Sequence, residues 1–316
     1  MPGGRIRGDD AGSPCESDLV SDVDDVKSEA DAAAAAAAEA ASRLGLSGPP
    51  VLLRSGANHV FRVGDGVVRV TAGNVDVRAH VALIRWLAAE GLPVPTPIAD
   101  PLTINGFHVT AWEYVDTHRP IDYRQLGVAI GTLHGLSPAA VGRMVPLPWC
   151  ADAPWLQLEA NLEIAAHVGV VSGDDIDALR NAVGELEGWG EIARGEELVV
   201  CHGDLHPSNL GMRDETAVVL DWDAICLGPA AWDHVALMTW AERWGGDPAD
   251  YASFAAGYGV DFRHSEVAWR LARVRLLSPT INMIIAGAAS TRCADEARVR
   301  MRFWRGEPEA PTWHAQ

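Results

Sequence analysis

The strongest constraint on this chain is a pair of short polar segments, each set at the end of an apolar run. Leu198-Val199-Val200-Cys201 leads into His202-Gly203-Asp204-Leu205-His206-Pro207-Ser208-Asn209, and Val218-Val219-Leu220 leads into Asp221-Trp222-Asp223. Between them, 210–213 and 216–221 read as the two arms of a β-hairpin, which returns the chain to where it started. Asp204, Asn209 and Asp221 are therefore expected to converge from two neighbouring turns, with Val218–Leu220 as a buried strand that delivers Asp221.

An Asp, an Asn five residues on and a second Asp after a short hairpin are what a kinase-type phosphoryl-transfer site needs. HGDLHPSN and LDWD resemble the aminoglycoside phosphotransferase-like family, the branch of the kinase superfamily that also holds the choline kinases. Its catalytic loop reads HGDxxxxN, and its metal-binding Asp sits in I/L-D-W/F-D/E. The resemblance implies an α+β, bilobal protein-kinase-like fold with a small β-rich N-lobe and a larger helical C-lobe, the nucleotide lying between them. It implies Asp204 as the catalytic group that receives or orients the acceptor hydroxyl, Asn209 and Asp221 as Mg2+ ligands, and ATP or GTP as co-substrate. His202 and Asp233 are implied as structural supports of the loop, with Asp223 as a further metal or supporting contact.

Size and composition fit that picture. The 316 residues suffice for two lobes, and 48% apolar content is that of a globular protein. No unbroken apolar segment reaches the ~20 residues of a spanning helix. The N-terminus, MPGGRIRGDDAGSP, lacks the apolar stretch of an export signal. Five scattered cysteines without a CxxC pair fit free thiols in a reducing cytoplasm. A formal charge of −18 argues against nucleic acid or an anionic membrane as partner, and suits either solubility or a polycationic substrate. The expected partners are a nucleotide and a small-molecule hydroxyl compound, and the expected location is cytoplasmic.

Along the chain, residues 1–24 read as a disordered acidic tail, poor in bulky apolar groups. The Ala-dominated stretch Val26–Leu44 reads as a helix stopped by Gly45. Runs at Val51–Arg54, His59–Val63 and Val67–Thr71 read as a meander, Val75–Ala89 as a helix and Phe107–Val115 as a strand, giving an N-lobe over 25–115. From 116 to 316 the sequence turns helical, at 121–136, 155–168, 173–188, 229–244, 248–257, 264–289 and 291–304.

Kinases hold the nucleotide phosphates with a strand Lys paired to a helix carboxylate. Here the strand Val67-Val68-Arg69-Val70 offers Arg69 instead, and His80 stands where the Glu is often found, with Asp76 the nearest acid. The turn Ser55-Gly56-Ala57-Asn58-His59 occupies the place of the phosphate loop, with Ser55, Asn58 and His59 as candidates. The strand ending Glu113-Tyr114-Val115 is expected to offer backbone groups of Glu113 and Val115 to the purine. For the acceptor, Glu159 and Glu163 share a helix face, and Trp155, Trp240, Glu242 and Trp244 are further candidates. Two other readings use the same residues: a nucleotide-binding pseudokinase, given the missing Lys and Glu, and a metal-dependent hydrolase built on His202, Asp204 and His206 with Asp221, Asp223 and His234.

Overall fold

The computed structural model describes residues 16–55, 58–73 and 75–314. They belong to two compact units, Met1–Val77 with Pro97–Tyr114, and Arg78–Thr96 with Val115–Gln316. The first is built on a sheet and the second is mainly helical, so the expected α+β organisation holds. Among the described residues, no helix is long and apolar enough to cross a membrane.

In the first unit the strands β1 (Val51–Ser55), β2 (Asn58–Val63), β3 (Gly66–Thr71), β4 (Leu102–Ile104) and β5 (Phe107–Glu113) form one sheet, ordered β1-β2-β3-β5-β4. All its pairings are antiparallel. Alternation along β3 turns Val68 and Val70 to one face and Val67 and Arg69 to the other. The Val68 and Val70 face is covered by helix α1 (Glu16–Leu44), whose Ala33, Ala36, Ala37, Ala40 and Ala41 are all buried with Phe61 and Val63. Side chains no larger than a methyl let the helix lie close to the sheet. Gly45, at φ +70°, ends it, and Leu46 N–H donates back to Ala41 O at 2.9 Å. The expected tail is shorter than 1–24, because α1 begins at Glu16. Glu16 and Asp18 lie where negative charge favours a helix start, an effect that composition alone conceals. Residues 1–15 lie outside the described residues.

The boundary expected at 115 also needs correction. Helix α2 (Val77–Ala89) and the following segment group with the second unit from Arg78 to Thr96. Val81, Ile84 and Leu87 are buried as their spacing predicts. Val219 N–H donates to Pro93 O at 2.9 Å and Arg213 Nη1 to Thr96 Oγ1 at 2.7 Å, so hydrogen bonds that the N-lobe expectation lacked tie this segment to the hairpin.

The second unit continues with α3 (Tyr123–His134), α4 (Pro138–Val141), α5 (Leu158–His167), α6 (Gly173–Gly184) and α7 (Trp189–Arg194). Strands β6 (Leu198–Cys201), β7 (Leu210–Arg213), β8 (Thr216–Val219) and β9 (Cys226–Pro229) follow, paired as β6 with β9 and β7 with β8. Helices α8 (Val235–Trp244), α9 (Pro248–Tyr258), α10 (Glu266–Ala286) and α11 (Thr291–Trp304) complete it. The expected helix 173–188 is split by Gly188 at φ +71°, and 229–244 begins as a 3-10 turn over Ala230–Asp233.

Helices α3 and α9 cross at two glycines. A Cβ on Gly127 would lie 2.1 Å from Phe254 O, and one on Gly257 would lie 2.0 Å from Arg124 O. This contact sets the spacing of His134, at the end of α3, from Tyr258, at the end of α9. Gly257→Ala is expected to destabilise the fold by ~1–3 kcal/mol through overpacking, read as a lowered urea midpoint. Gly184→Ala, where a Cβ meets nothing within 4 Å, is the control and should be neutral or slightly stabilising.

Candidate active site

The bend after β6 begins with His202 and Gly203, both buried. Their N–H groups point the same way, and both are taken by one carboxylate: His202 N donates to Asp233 Oδ2 at 2.7 Å and Gly203 N to Asp233 Oδ1 at 2.9 Å. Asp233 closes the 3-10 turn before α8 and also accepts from His134 Nε2 at 3.1 Å, while His134 Nδ1 meets Tyr258 OH at 2.9 Å. Burial pushes the Asp233 carboxyl up, but its bond to His134, the fields of His134 and His202 and the Gly203 N–H outweigh it and hold the group below its ordinary value. Gly203 sits at φ +88°, and a Cβ there would lie 2.0 Å from Ala224 O, so only glycine fits. Trp232 Nε1 donates to Gly203 O at 3.1 Å.

His202 joins the two motifs. Nε2 donates to Leu220 O at 2.9 Å, which leaves Nδ1 to accept from Asp204 N at 3.3 Å. Burial keeps the ring below its usual pKa despite nearby carboxylates, so it is neutral and fits this one-donor, one-acceptor role. Leu220 N–H donates to Asn209 O at 2.9 Å. Asp204, Asn209 and Asp221 are thus drawn together by backbone ties. Asn209 spends Nδ2 on Asp204 O at 3.0 Å, and its Oδ1 has no hydrogen bond among the described residues. Asp221 takes a left-handed conformation, φ 59° and ψ 67°, uncommon for a residue with a side chain and typical of functional turns. The amide oxygen of Asn209 and the carboxylate of Asp221 form a hard donor set that fits a small divalent cation.

Asp204 is flanked by two partners. Arg275 Nη2, from α10, lies 2.5 Å from Oδ1, and His206 Nε2 lies 3.5 Å from Oδ2. Burial raises the carboxyl, but the Arg275 charge and then the His206 contact overcome it and hold Asp204 well below the usual carboxylate range. Arg275 also lies over Trp232, 5.4 Å from the ring centroid. Sequence reasoning missed Arg275. The signal was present: on α10 the inward stripe Ala268, Leu271, Ser278 and Ile281 is buried, and an arginine stands in it at 275.

The other candidates are placed as follows. In the first unit Ser55 Oγ meets His59 Nδ1 at 3.1 Å, Asn58 Oδ1 accepts from Thr71 Oγ1 at 2.7 Å, and Gly56 and Ala57 lie outside the described residues. Arg69 stands opposite the α1 face, Glu113 is exposed at the end of β5, and Val115 is buried. His80 Nδ1 lies 3.6 Å from Asp223 Oδ1. Of the acceptor candidates, Trp240 comes to the loop, stacked on His206 at 6.2 Å and on Trp244 at 4.8 Å. Glu159 and Glu242 are exposed, and Glu163 faces Arg180 at 3.4 Å. Both His202 nitrogens are committed to the backbone, so HxDxH cannot act as a ligand set. His134, Cys201 and Asp233 do lie close enough to share an ion, but Asp233 is already saturated by the loop and His134.

Residues 51–275 match the family model APH, phosphotransferase enzyme family. A spectinomycin phosphotransferase in complex with ADP and spectinomycin is 14% identical, covering 83% of this chain and 90% of that one, with a TM-score of 0.61. An amicoumacin kinase in complex with AMP-PNP and Ca2+ is 15% identical over 83% of this chain and 90% of that one, TM-score 0.60. A choline/ethanolamine kinase family protein from Mesorhizobium loti is 20% identical over 86% of this chain and 95% of that one, TM-score 0.59. At these identities the likeness is one of fold. Comparison with curated proteins gives no match.

Asp233→Asn leaves one oxygen where the bend needs two, and is expected to cost ~3–5 kcal/mol by urea unfolding. The sign with pH follows from the lowered Asp233 pKa. Its contribution is full above the unfolded carboxyl value and disappears as pH falls through the folded one, so the Asn variant should lose less stability on acidification than wild type.

Proposed function

Given that the chain belongs to the phosphotransferase enzyme family APH, we propose that it moves the γ-phosphate of ATP, or of GTP, to a hydroxyl of a small molecule in a magnesium-dependent reaction. An aminoglycoside or another sugar- or nucleoside-type antibiotic heads the acceptors, since the similar folds include proteins described by spectinomycin and amicoumacin. The observation that carries this reading is the convergence of Asp204, Asn209 and Asp221 through His202 and Leu220.

Asp204 receives a hydrogen bond from the acceptor hydroxyl and aims its lone pair at phosphorus. The hydroxyl oxygen forms the new P–O bond, the bond from phosphorus to the bridging oxygen breaks, and the nucleoside diphosphate leaves with that electron pair. The hydroxyl proton passes to a carboxylate oxygen of Asp204. Since Arg275 and His206 keep this carboxylate a weak base, orientation is its larger task and the proton moves late. Asn209 Oδ1 and the Asp221 carboxylate would hold the magnesium, which when bound neutralises charge on the phosphates. Arg69 supplies positive charge where kinases use lysine. Lys27 is the only lysine in the sequence, so an arginine has to do this work. Ser55, Asn58 and His59 would face the phosphates, and the backbones of Glu113 and Val115 the purine. A nucleotide binder without transfer is the second reading, favoured by His80 in place of a carboxylate on α2.

Release of nucleoside diphosphate from Mg-ATP or Mg-GTP, screened against aminoglycosides, nucleoside antibiotics, macrolides and small alcohols, tests the proposal. Asp204→Ala should lower turnover by roughly 100-fold or more with nucleotide affinity little changed, whereas Asp221→Ala should weaken both. Wild-type turnover by Asp204→Ala would remove its assigned role. Binding of nucleotide with no release against any acceptor would leave the second reading. Arg69→Ala should raise the nucleotide KM several-fold with a smaller effect on kcat, and an unchanged KM would move the phosphate contact elsewhere.

A further inference from the structure

A chain with a formal charge of −18 places a guanidinium against its catalytic carboxylate. Arg275 makes one hydrogen bond, from Nη2 to Asp204 Oδ1, and its side chain is 11% exposed. A guanidinium has five N–H donors. None of Arg275's nitrogens is both sealed from solvent and unpartnered, in contrast to Arg270 Nε, so its remaining donors reach accessible space beside Asp204. Trp232 lies under the group and fixes it from behind. On the other side of Asp204, His206 and the half-buried Trp240 and Trp244 form a stacked aromatic wall. The acidic residues that suited a cationic acceptor on sequence grounds are not at this spot: Glu163 faces Arg180, and Glu159 and Glu242 are exposed on α5 and α8.

An acceptor must bring its hydroxyl to Asp204, and any charge next to that hydroxyl meets the free edge of Arg275. An ammonium there is repelled, while a carboxylate gains charge-assisted hydrogen bonds. We propose that Arg275 is a specificity-determining residue which selects an acceptor carrying an anionic group beside the phosphorylated hydroxyl and disfavours the polycationic aminoglycosides. This rests on the phosphotransferase reading and narrows its acceptor.

The test uses three 4-nitrophenyl β-glucosides that differ at C6 only: the parent alcohol, the carboxylate and the 6-ammonium form. Their aryl group offers the aromatic wall a surface. Affinities for the full chain are measured by saturation-transfer NMR with Mg-AMP-PNP present, which needs no turnover. The carboxylate should bind roughly tenfold more tightly than the ammonium form, with the alcohol between them. Arg275→Gln should bring the carboxylate and ammonium forms within about threefold of each other, and Arg275→Lys should keep the wild-type order. Equal or tighter binding of the ammonium form by wild type overturns the proposal, as does an order unchanged in Arg275→Gln, or no binding of any of the three. Diphosphate release in the broader acceptor screen decides the parent reading separately. An enzyme that turns over aminoglycosides fastest would be a phosphotransferase for which this inference is wrong.

Discussion

Asp233 accepts hydrogen bonds from the amides of His202 and Gly203 and from His134, and on this contact the bend before Asp204 depends. Two successive buried N–H groups need an acceptor, and a buried carboxylate needs donors. Each removes the other's penalty. The bend can be this tight because Gly203 has no Cβ to meet Ala224 O. Support reaches the site from far off: the glycines at which α3 and α9 cross set His134 and Tyr258 in place, those hold Asp233, and Asp233 holds the loop.

A second layer of ties joins the loop to the turn at Asp221. His202 is useful because it is neutral, since only the neutral ring can donate to Leu220 O and accept from Asp204 N at once. With Leu220 N–H on Asn209 O, the relative positions of the three polar side chains are set by backbone contacts. Such a site needs little rearrangement when charge develops in it.

The legible parts of this chain were those governed by local pattern. The hairpin, the buried Val218–Val219 strand and the Ala face of α1 follow from periodicity and propensity, and each is found. The bracing role of His202 and Asp233 came from motif resemblance, and their hydrogen bonds give it a physical form. What escaped was set by distant contacts. Arg275 is 71 residues from Asp204, and nothing local marks an arginine in an apolar stripe as the partner of one particular carboxylate. The segment 78–96 grouped with the helical unit through hydrogen bonds to residues beyond 210. The start of α1 was hidden because acidic residues read as tail in composition and as stabilising charge at a helix N-terminus.

Net charge proved a poor guide to the field at one atom. The acidic excess is spread over the whole sequence, and six of the eighteen net negative charges fall in residues 1–45 alone. Asp204 instead responds to groups within hydrogen-bonding distance, because charges beyond about 10 Å are screened by ordinary salt. Arg275 has two opposed effects on it. It fixes the carboxylate and so favours a defined approach of the hydroxyl, and it lowers the basicity that would remove the proton. For an early proton abstraction the second effect would dominate and the pairing would be a handicap. In a loose phosphoryl transfer the hydroxyl becomes strongly acidic only as its bond to phosphorus forms, so a weak base in a fixed position loses little and the gain in orientation prevails.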